Sequence, residues 1–161
     1  MNKGAKFIHI IGLVLFLGSI FTYTLISTLT KNASLADIVF AREIISAGTT
    51  YLTLPGLFII VLSGTISTIK EVRFLKRRWL NVKFAASVII VLNTFIFILP
   101  AANDALEHAK ASLAEGKLLS EYSAAYMQES IAGSLNVLLA IGSIISGIWK
   151  YEKKTTANLQ L

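Results

Sequence analysis

The sequence predicts an all-α fold: a polytopic membrane four-helix bundle, N-in and C-in, with short helical segments in its two outer loops. Three observations carry this expectation. Charged residues make up only 15% of the chain and hydrophobic ones 55%, with a mean hydropathy of +0.69. Soluble domains carry roughly 25% charged residues, because a small soluble protein covers much of its surface with polar groups. Lipid is the solvent this composition fits. The second observation is a set of four long apolar runs, and the third is the lopsided placement of the basic residues between them.

The runs cover about 7–29, 52–69, 80–102 and 131–149, all within one transmembrane domain, 1–161. Each can cross a hydrocarbon core about 30 Å thick, which takes roughly 20 helical residues. The first run follows Met1-Asn2-Lys3-Gly4-Ala5-Lys6. It is too long for the apolar region of a signal peptide and no small-x-small cleavage site closes it, so it reads as a retained helix.

Between the second and third runs lies Lys70-Glu71-Val72-Arg73-Phe74-Leu75-Lys76-Arg77-Arg78-Trp79, a basic turn of the kind that stays in the cytoplasm. With that side as the inside, eleven of the fifteen basic residues lie inside and only Lys31, Arg42, Lys110 and Lys117 outside. Seven of the nine acidic residues fall outside, leaving Glu71 and Glu152 inside. Eleven basic less two acidic gives +9 inside, and four basic less seven acidic gives −3 outside, which together make the net +6. Trp79, Trp149 and Tyr151 fall at inner ends of spans, where aromatic belts form. The expected location is the bacterial inner membrane, multi-pass, with the lipid bilayer as the chief partner and a second copy or a membrane redox protein as further ones.

The outer loops read as ordered. Ser34-Leu35-Ala36-Asp37 opens a helix with a capping-box pattern, with Ile38, Ala41 and Ile45 on one face and Arg42 and Glu43 turned away. This helix leads into the second span, where Pro55 is expected to kink it, since proline removes a backbone donor and crowds the preceding turn. In the other loop, Asp104 to Glu115 reads as a short helix stopped by Gly116, and the fourth span extends outward from about Ser120. Small residues recur at helical spacing: Gly133, Asn136, Ala140, Ser143 and Gly147 in the fourth span, and Gly56, Ser63, Gly64 and Ser67 in the second. Such stripes let helix backbones approach closely within lipid.

The inventory of reactive groups is short. There is no Cys, which excludes disulfides, thiolate metal sites, covalently attached c-type haem and thiol catalysis. Two His are too few for a multi-His metal centre. The positive charge does not point to nucleic acid, because neither a basic face on a soluble fold nor a binding motif is present. Ionisable groups inside spans are rare and usually functional, and two qualify: His9 and Lys83, at similar shallow depth near the inner ends of the first and third spans. His9 shares a face with Gly12, Leu13 and Phe16, and Gly12 leaves room for a flat ligand. Neutral imidazole is the usual axial ligand of a b-type haem, so His9 is open to two readings, haem-iron ligand or interfacial residue bonded to a neighbouring helix. Lys83 either snorkels to the cytoplasmic surface or pairs with a haem propionate or another anion. Asn93, deeper in the third span, reads as an interhelical hydrogen-bond donor. Outside, Asp104 and His108 could place two metal ligands on one helix face, and Arg42 fits an ion pair with Asp37, Glu43 or Glu129.

Three segments resemble a known group. Phe7-Ile8-His9-Ile10-Ile11-Gly12-Leu13-Val14-Leu15-Phe16-Leu17-Gly18, then Pro55-Gly56-Leu57 with Ser63-Gly64, then Trp79-Leu80-Asn81-Val82-Lys83-Phe84 are similar to an uncharacterised family of bacterial four-helix integral membrane proteins. More distantly they resemble the HemJ-type protoporphyrinogen oxidases and the copper-resistance D proteins. The resemblance spans the first three helices. For the HemJ-type proteins it implies haem b binding through a His in the first helix and a Lys early in the third, which by motif are His9 and Lys83. The chain departs from that pattern with Phe16 where a Trp is common and with Leu92-Asn93-Thr94-Phe95 in place of a Tyr- and His-rich continuation. Taken together, the candidate cofactor residues are His9, Gly12, Arg42 and Lys83, for electron transfer or porphyrin oxidation. The alternative is a non-catalytic accessory subunit or small-molecule carrier.

Overall fold

The structure, a computed structural model, describes residues 3–69 and 78–158, with side chains over 3–66 and 81–146. The basic turn and the side chains of Trp79, Trp149, Tyr151, Ser67 and Gly147 therefore lie outside the described residues. The elements are α1 (Lys3–Leu29), α2 (Leu35–Gly48), a π-helical turn (Thr49–Thr53), α3 (Leu54–Ile69), α4 (Arg78–Asn93), a second π-helical turn (Thr94–Ile98), α5 (Leu99–Glu115) and α6 (Ser120–Asn158). The π turns join α2 to α3 and α4 to α5, so the chain forms four helical rods. Each rod is long and apolar enough to cross a membrane, as the sequence predicts.

The loop helices are not separate pieces. α2 continues into the second span and α5 continues out of the third, so both rods outrun the apolar runs expected to bound them. Ser34 caps α2 by accepting the Asp37 backbone N–H, as the capping pattern requires. Gly116 ends α5 in the left-handed conformation, φ 70° and ψ 13°. Its N–H bonds the Leu113 carbonyl and that of Lys117 bonds Ser112, the paired bonds of a Schellman stop. Four residues then suffice to turn the chain into α6.

Pro55 acts through the turn before it. Leu54 donates its N–H to the Thr49 carbonyl, five residues back, and the widened turn carries the rod past the proline's missing donor. The second π turn repeats the device: Leu99 bonds Thr94 and Pro100 follows. Both breaks read Thr-x-x-x-x-Leu-Pro.

α1 and α3 run antiparallel in close contact. His9 meets Ser63, Ser19 meets Thr53, and between them Gly12 faces Gly56. A Cβ added at Gly56 would lie 2.8 Å from the Phe16 backbone nitrogen and 3.1 Å from the Gly12 carbonyl, so only glycine admits this crossing. α4 pairs with α6 through Asn93, whose amide donates to Asn136 Oδ1 and to the Ala132 carbonyl, both at 2.8 Å. Asn136 in turn donates to Thr94 Oγ1 at 2.9 Å. Asn93 is thus the interhelical donor the sequence suggests. The two pairs meet at a core of Phe16, Leu57, Ile90 and Ala140.

The small-residue stripe of α6 keeps Asn136 and Ala140 from the expected one, with Ala132 in place of Gly133. Ala125, Ala132, Asn136 and Ala140 are buried, while Gly133 faces open space. Substitutions separate the two kinds of glycine. Gly56→Val is expected to lower stability by about 1–3 kcal/mol or more, the cost of overpacking. Gly133→Ala is expected to be neutral or stabilising by roughly 0.5–1 kcal/mol from helix propensity. Thermal unfolding of the detergent-solubilised variants measures both.

Candidate functional site

Two clusters of polar side chains stand out, one near each end of the bundle. The first is built on the α1–α3 crossing at the end that holds the chain's N-terminal residues. His9 lies half-buried on α1, one turn before Gly12. Its Nδ1 sits 2.9 Å from Ser63 Oγ, while Ser63 donates its single hydroxyl proton to the Ile59 carbonyl at 2.6 Å. With that proton on the Ile59 carbonyl, the serine oxygen is placed to accept from His9 Nδ1–H, which is the tautomer that leaves the lone pair on Nε2. The ring lies over Gly64, where a Cβ would stand 3.9 Å from His9 Cε1. Lys83, on α4, is half-buried and within electrostatic range of His9. The two side chains lie near the same end of the bundle, on helices α1 and α4.

Gly12 is placed differently from expectation. The room beside it belongs to α3: an added Cβ would meet Ile59 Cγ2 at 2.9 Å and the Gly56 carbonyl at 3.0 Å. A flat ligand has no space there, because the α1–α3 register set by His9–Ser63 and Ser19–Thr53 presses the two backbones together.

Arg42 forms the second cluster, at the end of the bundle that holds the turns 30–34 and 116–119. Along the helical rise of about 1.5 Å per residue this is roughly 30 Å from His9, so the two share no ligand. Arg42 is 3% exposed rather than turned away, since Ile38, Ala41, Arg42 and Ile45 fall on one face at helical spacing. Nη1 pairs with Glu129 on α6 at 2.5 Å, one of the three partners the sequence offers. The guanidinium carbon lies 5.5 Å from the centroid of Tyr122 and 5.0 Å from that of Tyr126, and those rings are parallel to within 4°. Nε donates to the Tyr122 hydroxyl at 3.4 Å. Nη2 is buried with no hydrogen-bond partner among the described residues. The planar, always-charged guanidinium suits a site that combines one carboxylate with two aromatic faces.

Asp104 and His108 do not make a metal site: among the described residues no group of three or more His, Asp or Glu could hold an ion. The Arg42 cluster is what sequence reasoning placed least well. Its signal was present, in the position of Arg42 four residues after Ile38, but its partners lie 80 or more residues away.

Fold and composition define a multi-pass integral membrane protein. No protein-family model, curated protein or solved structure matches the chain.

The ion pair makes a stability prediction. Glu129→Ala leaves a buried guanidinium without its carboxylate and is expected to cost about 3–5 kcal/mol. Replacing both partners, Arg42→Met with Glu129→Leu, is expected to recover most of that loss, since apolar substitutes for a buried pair are often neutral. Denaturant unfolding in detergent compares the two.

Proposed function

We propose that this chain is an inner-membrane protein that holds a b-type haem or related porphyrin near its cytoplasmic face, with His9 as axial ligand and Lys83 as partner for a propionate, in electron transfer or porphyrin oxidation. The observation that supports the reading best is the set of the imidazole. Ser63 fixes Nδ1–H and orients the ring, as outer hydrogen bonds do for metal-bound histidines, and Nε2 keeps the lone pair an iron takes. A bound haem supplies one-electron chemistry. The chain's own residues supply the ligand, its orientation through Ser63, and a cation across the α1–α4 side. Gly12 and Arg42 take no part, the first because α3 occupies its space and the second because of its distance.

The experiment is an absorption spectrum of the protein purified in detergent from haem-replete cells. A Soret band is expected, abolished in His9→Ala and altered in Ser63→Ala. Colourless protein would overturn the proposal and leave His9 as an interhelical tie in an accessory subunit or carrier.

The cytoplasmic assignment rests on the basic bias of one side. Reporter fusions are expected to place position 76 inside and position 110 outside, and the opposite pattern would reverse the site to the other face.

A further inference from the structure

We propose that a haem on His9 receives this single axial ligand from the chain, and that its second axial position is open to a small neutral gas of the dioxygen class. The proposal rests on the haem assignment of His9 above and narrows it, because access to the iron on its second face separates gas binding from plain electron transfer. Proteins ligate haem iron through His, Cys, Met or Tyr, and this chain has two His, two Met, five Tyr and no Cys. Their places in the fold decide the matter. His108 lies on α5 near its Gly116 stop, at the end of the bundle opposite His9. Met127, on α6, is exposed at that same far end, where Tyr122 and Tyr126 flank Arg42. Tyr23 meets Thr53 of the first π turn at 3.4 Å, and Tyr51, in that turn, is exposed. Met1 and the side chain of Tyr151 lie outside the described residues. Among the described residues, His9 is the one donor of these types at its end of the bundle.

A second copy is also poorly placed to supply the missing ligand. His9 belongs to the stripe of Gly12, Phe16 and Ser19, the buried residues of α1, at the three- and four-residue spacing of one helix face. That face is turned to α3, where His9 meets Ser63 and Ser19 meets Thr53. The neighbours of His9 along the chain, Ile8 and Ile10, are the exposed ones. The imidazole therefore faces the interior of its own bundle, and the same residue of another copy would face the interior of that one.

The surroundings favour a neutral ligand over an anion. Ser63 gives its hydroxyl proton to the Ile59 carbonyl at 2.6 Å, and Ser87, one turn after Lys83 on α4, gives its own to the Lys83 carbonyl at 3.0 Å. Both hydroxyl protons are thus committed to backbone. Lys83 is the cation assigned to a propionate. An anion entering this end of the bundle would lose its hydration for few donors, a cost that a neutral gas does not meet.

Carbon monoxide is the probe. The full chain, purified in detergent from haem-replete cells, is examined by electron paramagnetic resonance in the ferric state and by absorption after dithionite reduction, with and without the gas. A high-spin ferric signal is expected, together with a shift of the reduced Soret band that saturates when carbon monoxide equals haem. His108→Ala and Met127→Leu are expected to change neither, and Lys83→Ala is expected to leave the spin state and the gas-induced shift in place. A low-spin ferric haem in the parent chain, with a reduced spectrum that carbon monoxide does not alter, overturns the proposal and leaves haem binding at His9 standing. A low-spin parent that turns high-spin in His108→Ala, Met127→Leu or Lys83→Ala overturns it as well and identifies the second ligand. Protein without haem overturns both this proposal and the assignment on which it rests.

Discussion

Hydrocarbon offers no hydrogen-bond partner, so each polar group carried into it has to be met by another part of the same bundle. That constraint decides which helices associate. Apolar side chains gain little by leaving lipid for protein, and most of the large ones here stay on the outside. The polar groups cannot do the same. His9 finds Ser63, Ser19 finds Thr53, and these bonds pair α1 with α3. Asn93 and Thr94 find Asn136 and pair α4 with α6. Hydroxyls without a helix to meet turn back on their own: Thr22, Thr24, Thr28 and Thr30 each donate to the carbonyl four residues earlier.

The same bonds arrange the interior in layers. At the end near the N-terminal residues lies the imidazole of His9. Above it come Phe16, Leu57, Ile90 and Ala140, a layer with no hydrogen-bonding side chain. The two hydroxyl and amide networks follow, at the level of the π turns, and Arg42 with Glu129 closes the far end. Among the described glycines, close approach to the backbone of another helix falls at the α1–α3 crossing, where Gly12 and Gly56 face each other directly beneath the first π turn.

How much of this was legible depended on the range of the interaction. The four rods follow from local composition, and the ends of α2 and α5 follow from Ser34 and Gly116, whose roles need only neighbouring backbone. Phase was harder. A charge in a water-side loop ordinarily faces water, which is why the sequence predicts Arg42 turned away, yet it falls in the stripe of Ile38, Ala41 and Ile45. Only Glu129 and the tyrosines of α6 make its burial tolerable, and no local pattern reveals them. Gly133 and Ala132 differ by one position, about 100° of helix, and which of them turns inward is fixed by where Asn136 meets Asn93. For Gly12 the small side chain was evident and its neighbour was not. The π turns left a trace in the repeated Thr-x-x-x-x-Leu-Pro, but a proline's lost donor can equally produce a kink, the outcome expected for Pro55.

A buried ion pair is weak evidence for stability, since well-packed apolar residues often serve as well or better. The same reasoning applies to an ionisable ring inside a span, where a leucine would avoid desolvation altogether. Arg42 and His9 both tie helices together, yet apolar packing could do the same, and each marks an end where the chain retains an ionisable group that packing alone does not require. The two ends share one rod, since α2 carries Arg42 and α3 carries Ser63, the anchor of His9. Between them stand the π turn and, immediately after it, the Gly12–Gly56 crossing. The crossing sets backbone against backbone, so α3 is held on α1 and the imidazole keeps its place beside Ser63.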